Sequence, residues 1–411
     1  MNNSSTRDAT VAVEKSKFER KREKILDGAT AVINDRGLAG MTLAEVAQTV
    51  ELNTTSITYY FRFKHDLAAA VFEHSLSRLE GMAIEAGHER DPQSRVAKFL
   101  ELHIEMWARV LRKEDPGLAL LSDIRALDDG ARQSLEMHYQ KIFRLIRDFF
   151  GKTDNEERKV ILTARAHMLT EVIFWLPAWI NRYSIGDFSR LKGKVLDVLV
   201  HGIAMPGTSW QPLHANPLDT PEIDQSVGQE AFLRAATRLI NERGYRGASV
   251  DRIVAELQVT KGSFYHHLDA KDDLVLECFR RSYRRVSQAQ RIAETARGTH
   301  WDRLSMVIAM LLDVQFRGNW PLLRTTALQA VPADVRRDIV ERSNRMALRI
   351  AGTLVDGIAE GSVRPLDPMI ASQVVMAAIN TAYDLRHWAA RLPREKAIEI
   401  YASTLASGLF D

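Results

Sequence analysis

The chain has 411 residues, 45% hydrophobic and 27% charged, enough apolar sequence for two or three cores, and a net charge of only +3. That balance excludes a uniformly basic nucleic-acid coat, so any basic surface is a local patch. A single cysteine, Cys278, excludes an internal disulfide. The polar start without an apolar signal segment points to a cytoplasmic protein, and the longest apolar run, residues 172–180, is shorter than the roughly 20 residues a bilayer needs, so no membrane partner is expected.

In chain order the first feature is residues 14–24, EKSKFERKREK, with six cations against three anions. Such a run is either a solvated helix face or, beside a groove-binding unit, an arm touching backbone or minor groove. Ile25, Ala29, Val32 and Ile33 then fall at helical spacing, and the helix they predict ends at Arg36-Gly37. Thr42 stands where an N-cap belongs, ahead of the short apolar stripe Leu43, Val46, Ala47 and Val50. After a tight turn, Leu52, Ile57 and Phe61 point inward and leave Thr54, Thr55, Thr58, Tyr59 and Tyr60 outside. Two short helices with the second coated in hydroxyls and rings predict a helix-turn-helix, in which those side chains meet base edges and phosphates in a major groove. Lys64 opens the next helix, near N–H groups that could hold a phosphate.

Long amphipathic stretches follow and predict a helical bundle, on which His103, Trp107 and Trp175 are candidates for a ligand pocket, though core packing explains each equally. The GKT at 151–153 lacks the upstream glycine of a phosphate loop, having Ile146 in its place. Residues 206–225 carry Pro206, Pro212, Pro217 and Pro221 without periodicity, a stiff connector.

Beyond it the chain repeats itself. At an offset of 207, INERGYRGASVDRIV falls without a gap on INDRGLAGMTLAEVA, pairing Asn241 with Asn34 and Gly244 with Gly37. Ser249 takes the N-cap place, Val250, Ile253, Val254 and Leu257 form the stripe, and Val259, Phe264 and Leu268 point inward. Lys261, Gly262, Tyr265, His266 and His267 are left outside, and Lys271 starts the following helix. Cys278 reads as a small packing residue, and FRRSYRR (279–285) as a cationic surface or interface. The second bundle offers Met310, Trp320, Tyr383 and Trp388 as further pocket candidates.

The segments VTKGSFYHHLDAKDDL, TLAEVA and SITYYFRFKHDL resemble the TetR (tetracycline-repressor) family of bacterial transcription regulators. The resemblance covers about 45 residues per copy. It implies an all-α fold of two tandem halves. Each half would have an N-terminal helix-turn-helix and a helical domain that binds a small-molecule effector and dimerises through its last two helices, so that the fused halves pack as an intramolecular pseudo-dimer. The resemblance assigns phosphate contacts to Thr42, Ser249, Tyr265, Lys64 and Lys271, and groove contacts to Thr54, Thr55, Tyr59, Lys261, Gly262 and His266. Two departures stand out: the turn glycine is Glu51 in one copy and Gln258 in the other, and the signature tyrosine is Thr58 in the first.

The expected organisation is a reader with its arm at 1–68, a bundle at 69–205, a linker at 206–225, a second reader at 226–275 and a second bundle at 276–411. The expected partners are a double-stranded DNA operator, bound as two unequal half-sites about 34–36 Å apart, and an effector, with further homodimerisation possible. No catalytic or metal-ligating constellation and no cofactor motif is found. Thr58 and Glu51 also support an alternative, a partner- or ligand-sequestering protein with degenerate readers.

Overall fold

A computed structural model describes residues 4–208, 210–213, 218, 228–267, 271–324 and 333–410. Every regular element among them is helical, apart from one isolated bridge between Ala204 and Val363. The chain divides into two compact units, residues 1–83 with 105–142, and residues 84–104 with 143–411.

The first unit begins with α1 (Ser4–Gly40), broken at Gly37, whose positive φ ends the helix where the Arg-Gly pair predicts. Next come α2 (Leu43–Thr49) and α3 (Thr54–Tyr60), then α4 (Lys64–Gly87), the end of α5 (Pro92–Leu111) and most of α6 (Asp129–Asp148). Ile25, Ala29, Ile33, Val46, Ile57, Leu67 and Phe72 are buried together as the reader's core.

In the second unit α7 (Glu156–Trp175) and α8 (Phe188–His201) close the first half. The second copy follows as α9 (Gln229–Gly247), α10 (Val250–Leu257), α11 (Lys261–His267) and α12 (Lys271–Glu294). The bounds of α11 and α12 are those of α3 and α4 displaced by 207, so the repeat in sequence is a repeat in structure. The bundle continues with α13 (His300–Arg317), α14 (Ala333–Glu360), α15 (Pro368–Thr381), the single turn α16 (Arg386–Ala389) and α17 (Arg394–Ala406).

The last two long helices of the first half, α7 and α8, pack on the last two of the second, α15 and α17. The contact is reciprocal. Ile203 N donates to Leu405 O at 2.9 Å, and Leu409 N donates to Leu199 O at 2.8 Å, the same bond seen from each copy. Glycine is required on both sides: a Cβ on Gly202 would sit 2.3 Å from Ala406 O, and one on Gly408 2.3 Å from Val200 O, and both glycines have positive φ. Residues 156–178 are long and apolar enough to cross a bilayer by length and composition. Here Leu162, Met168, Leu169, Val172 and Ile173 are core residues, in a helix packed on α15 and α17.

Candidate nucleic-acid interface

Each reader is built by capping. Thr42 accepts from Glu45 N at 3.1 Å while Glu45 Oε2 accepts from Thr42 N at 3.0 Å, a capping box that starts α2. Thr42 Oγ1 also donates to Glu45, which together with Arg36 holds that carboxyl below its ordinary range. The hydroxyl assigned to a phosphate is therefore already engaged in starting the helix. Ser249 is the simpler equivalent, accepting from Arg252 N. Glu51 and Gln258 take the left-handed conformation at the turn, φ 56° and 57°, without the usual glycine.

On α3 only Ile57 is fully buried; Thr54, Thr55, Thr58 and Tyr59 are exposed, Tyr59 at 77%, and Tyr60 is half-buried. Asn53 caps the helix by accepting from Ser56 N at 2.7 Å. Thr58 donates to Thr55 O at 3.0 Å. Lys64 is partly buried at the start of α4. On α11 Phe264 is buried against Phe232, while Lys261, Gly262 and Tyr265 are exposed. Lys261 is paired with Asp251 on α10 at 2.7 Å, which raises its pKa. His266 and His267 lie on the helix, but their side chains and that of Lys271 fall outside the described residues, as does Leu268.

Three features escaped the sequence. The cationic arm is the N-terminal part of α1, and Phe18, its one aromatic, packs on Tyr60 with centroids 4.6 Å apart and on Tyr59 at 6.3 Å, while Arg22 lies over Phe61. The arm thus rests on the reading helix. The repeated asparagines are fasteners: Asn34 donates to Pro116 O and Leu118 O and accepts from Leu120 N, and Asn241 donates to Leu322 O and accepts from Arg324 N. Their recurrence was the available signal. Finally, the run at 279–285, expected on a surface or interface, is half interior. Arg281 and Arg285 face Trp320 and are buried, because the helical period turns every fourth residue of α12 inward. Cys278 is buried too, its thiol pushed up to about 12 by desolvation, as suits a packing residue.

The pocket candidates scatter. His103 is buried, and desolvation lowers its pKa to about 4. Trp107 is half-buried near Gly117. Trp175 donates to Gln373 and Trp388 to Val160 O, both across the contact of α7 with the second half. Trp320 carries the arginines, Tyr383 donates to Glu242, and Met310 is buried in α13. A cavity of about 310 Å³ lies elsewhere, between α12, α13 and α14, lined by Gln290, His300, Arg303, Val307 and Ile350. Periodicity marks helix faces but not where three helices fail to fill the space between them.

The pattern that defines the bacterial regulatory proteins of the tetR family matches residues 25–71 and again residues 232–278. The chain is similar to the transposon Tn10 TetC protein of Escherichia coli, 29% identical over 94 residues (23% of this chain, 47% of that protein). It is also similar to the transcriptional regulator AcuR of Cereibacter sphaeroides, 34% identical over 71 residues (17% of this chain, 32% of that protein). It spans about half or less of the length of these relatives. The crystal structure of apo AibR aligns with 43% of this chain and 98% of its own, at 21% identity and a TM-score of 0.38. With each matched segment coinciding with one capped reader, the chain carries the domain of the tetR family of bacterial regulatory proteins twice.

Proposed function

We propose that this chain is a cytoplasmic, nucleoid-bound repressor that grips one operator with two unlike readers as a single-chain pseudo-dimer and lets go when a small molecule binds. The observation that carries the reading is the division of each second helix into one buried anchor and an exposed polar or aromatic face: Ile57 under Thr54, Thr55, Thr58 and Tyr59, and Phe264 under Lys261, Gly262 and Tyr265. Those faces share almost no chemistry, so the half-sites they select are unequal. The reciprocal bonds of Ile203 and Leu409 support the pseudo-dimer, because they occupy the place where separate subunits would pair. Tethering makes the second reader's engagement intramolecular.

The cavity beside α13 supports an effector site in the second half. Gln290 is buried there with neither end of its amide partnered, and Arg303 and His300 add donors beside Val307 and Ile350. That lining suits a small ligand with a polar or anionic head and a short apolar part.

A gel shift with the DNA flanking the protein's own gene tests the reading. Specific binding is expected to weaken steeply and log-linearly with salt. Absence of any shift at low salt would establish the sequestering alternative. Selection from random DNA is expected to yield two dissimilar half-sites, and a fully symmetric palindrome would overturn the unequal readers.

A further inference from the structure

Helix α7 carries His167 and Glu171 one turn apart on one face, where they meet Asp384 from the turn after α15, and the three ligand atoms lie within 4.8 Å of one another. His167 is only 5% exposed. Its Nδ1 is 3.0 Å from the Tyr401 hydroxyl, which donates its single hydrogen to Ala378 O at 3.4 Å. When Nδ1 donates to that hydroxyl, Nε2 carries a lone pair. Nε2 has no hydrogen-bond partner and stands 3.9 Å from Glu171 Oε1.

A lone pair facing carboxylate oxygens is repulsive, and a cation between them turns the repulsion into three bonds. Arg324 lies against Asp384 at 2.5 and 2.7 Å, so one guanidinium accompanies two carboxylates. We propose that His167, Glu171 and Asp384 form a divalent transition-metal site that staples α7 of the first half to the second half. One imidazole nitrogen with two carboxylate oxygens is a donor set for Zn²⁺, Co²⁺ or Mn²⁺ rather than for Ca²⁺. Bonds of about 2.0–2.2 Å need the carboxylates to close in by roughly 1 Å or less, within reach of side-chain rotation.

The test is titration of the EDTA-treated full chain with Co²⁺, read by its visible d–d band, and with Zn²⁺, read by elemental analysis after dialysis. One saturable ion per chain is expected. His167→Gln and the isosteric Glu171→Gln should each weaken binding at least about tenfold. His103→Gln, at a buried histidine outside the cluster, should leave it unchanged. No saturable binding by the parent chain would overturn the site, as would undiminished binding in Glu171→Gln, whose shape guards against a loss caused by misfolding alone.

Discussion

The two places where a reader's first helix meets the loop after the bundle's second long helix share one frame and differ in charge. In the first copy Asn34 and Ser75 hold the backbone of residues 116–120, and in the second Asn241 and Ser282 hold that of residues 322–324. The charges beside these shared bonds have diverged. Asp27, His74 and Asp115 accompany Arg78 in the first copy; the positions matching Asp27, His74 and Arg78 are Arg234, Arg281 and Arg285 in the second, gathered on Trp320. Arg78 binds Asp115 with two bonds at 2.7 and 2.9 Å. Desolvation pushes Asp115 up, but the hydrogen bonds from Arg78 and Gly117 N outweigh it and leave the carboxyl low. In the second copy Glu230 accepts from Arg281 at 2.7 Å, Arg281 Nη2 has no partner, and burial pulls Arg285 down to about 10. The backbone bonds therefore define the junction, and the charges are free to diverge.

The largest test of that contrast is one substitution made in both copies. Arg78→Met takes the two shortest side-chain bonds from the partly buried Asp115, leaving it Gly117 N and Arg109 at 3.5 Å, and should cost about 3 kcal/mol. Arg285→Met at the equivalent place gives up a hydrogen bond to Trp320 O but relieves repulsion from Arg281, and should cost about 1 kcal/mol or less. Urea unfolding of the two variants measures both, and equal losses would show that the arginines do the same work.

Next in size are the fasteners. Asn241 is buried, and Asn241→Ala leaves Leu322 O and Arg324 N without their partner, at a cost of about 2 kcal/mol. Asn34 is half-buried, so water can replace part of what Asn34→Ala removes, and about 1 kcal/mol is expected. Hydrogen exchange at Leu120 and Arg324 N–H reports each loss locally, and a larger opening at Leu120 than at Arg324 would reverse the ranking.

These junctions show where sequence reasoning stops. Helix periods, caps and the 207-residue offset are local quantities, so both readers, their inward anchors Ile57 and Phe264 and their outward faces were legible in the sequence. The fasteners join residues more than 80 apart, and between reader and loop the correspondence slips from 207 to 204, pairing Leu118 with Leu322. No single offset shows that pairing. Arg281 and Arg285 read as surface because arginine is rarely buried, and only the packing of α12 on Trp320 places them inside. The face of Phe18 toward Tyr60 was hidden for a related reason, since a cationic run carries no information about which neighbour its one ring will touch.

The smallest effect concerns a feature in which the copies agree. Glu51 and Gln258 both hold φ near +57°, a conformation that costs a side-chain-bearing residue about 1–2 kcal/mol, of which glycine's greater chain entropy returns roughly half. Glu51→Gly and Gln258→Gly should each therefore stabilise by about 0.5–1 kcal/mol. The gain should be equal in the two readers, because the turn is backbone geometry and is indifferent to the charges that separate the junctions. An upward shift of the urea midpoint in one variant but not in the other would mean that the turns, like the junctions, have diverged, with a side-chain contact of Glu51 or Gln258 compensating the strain in one copy alone.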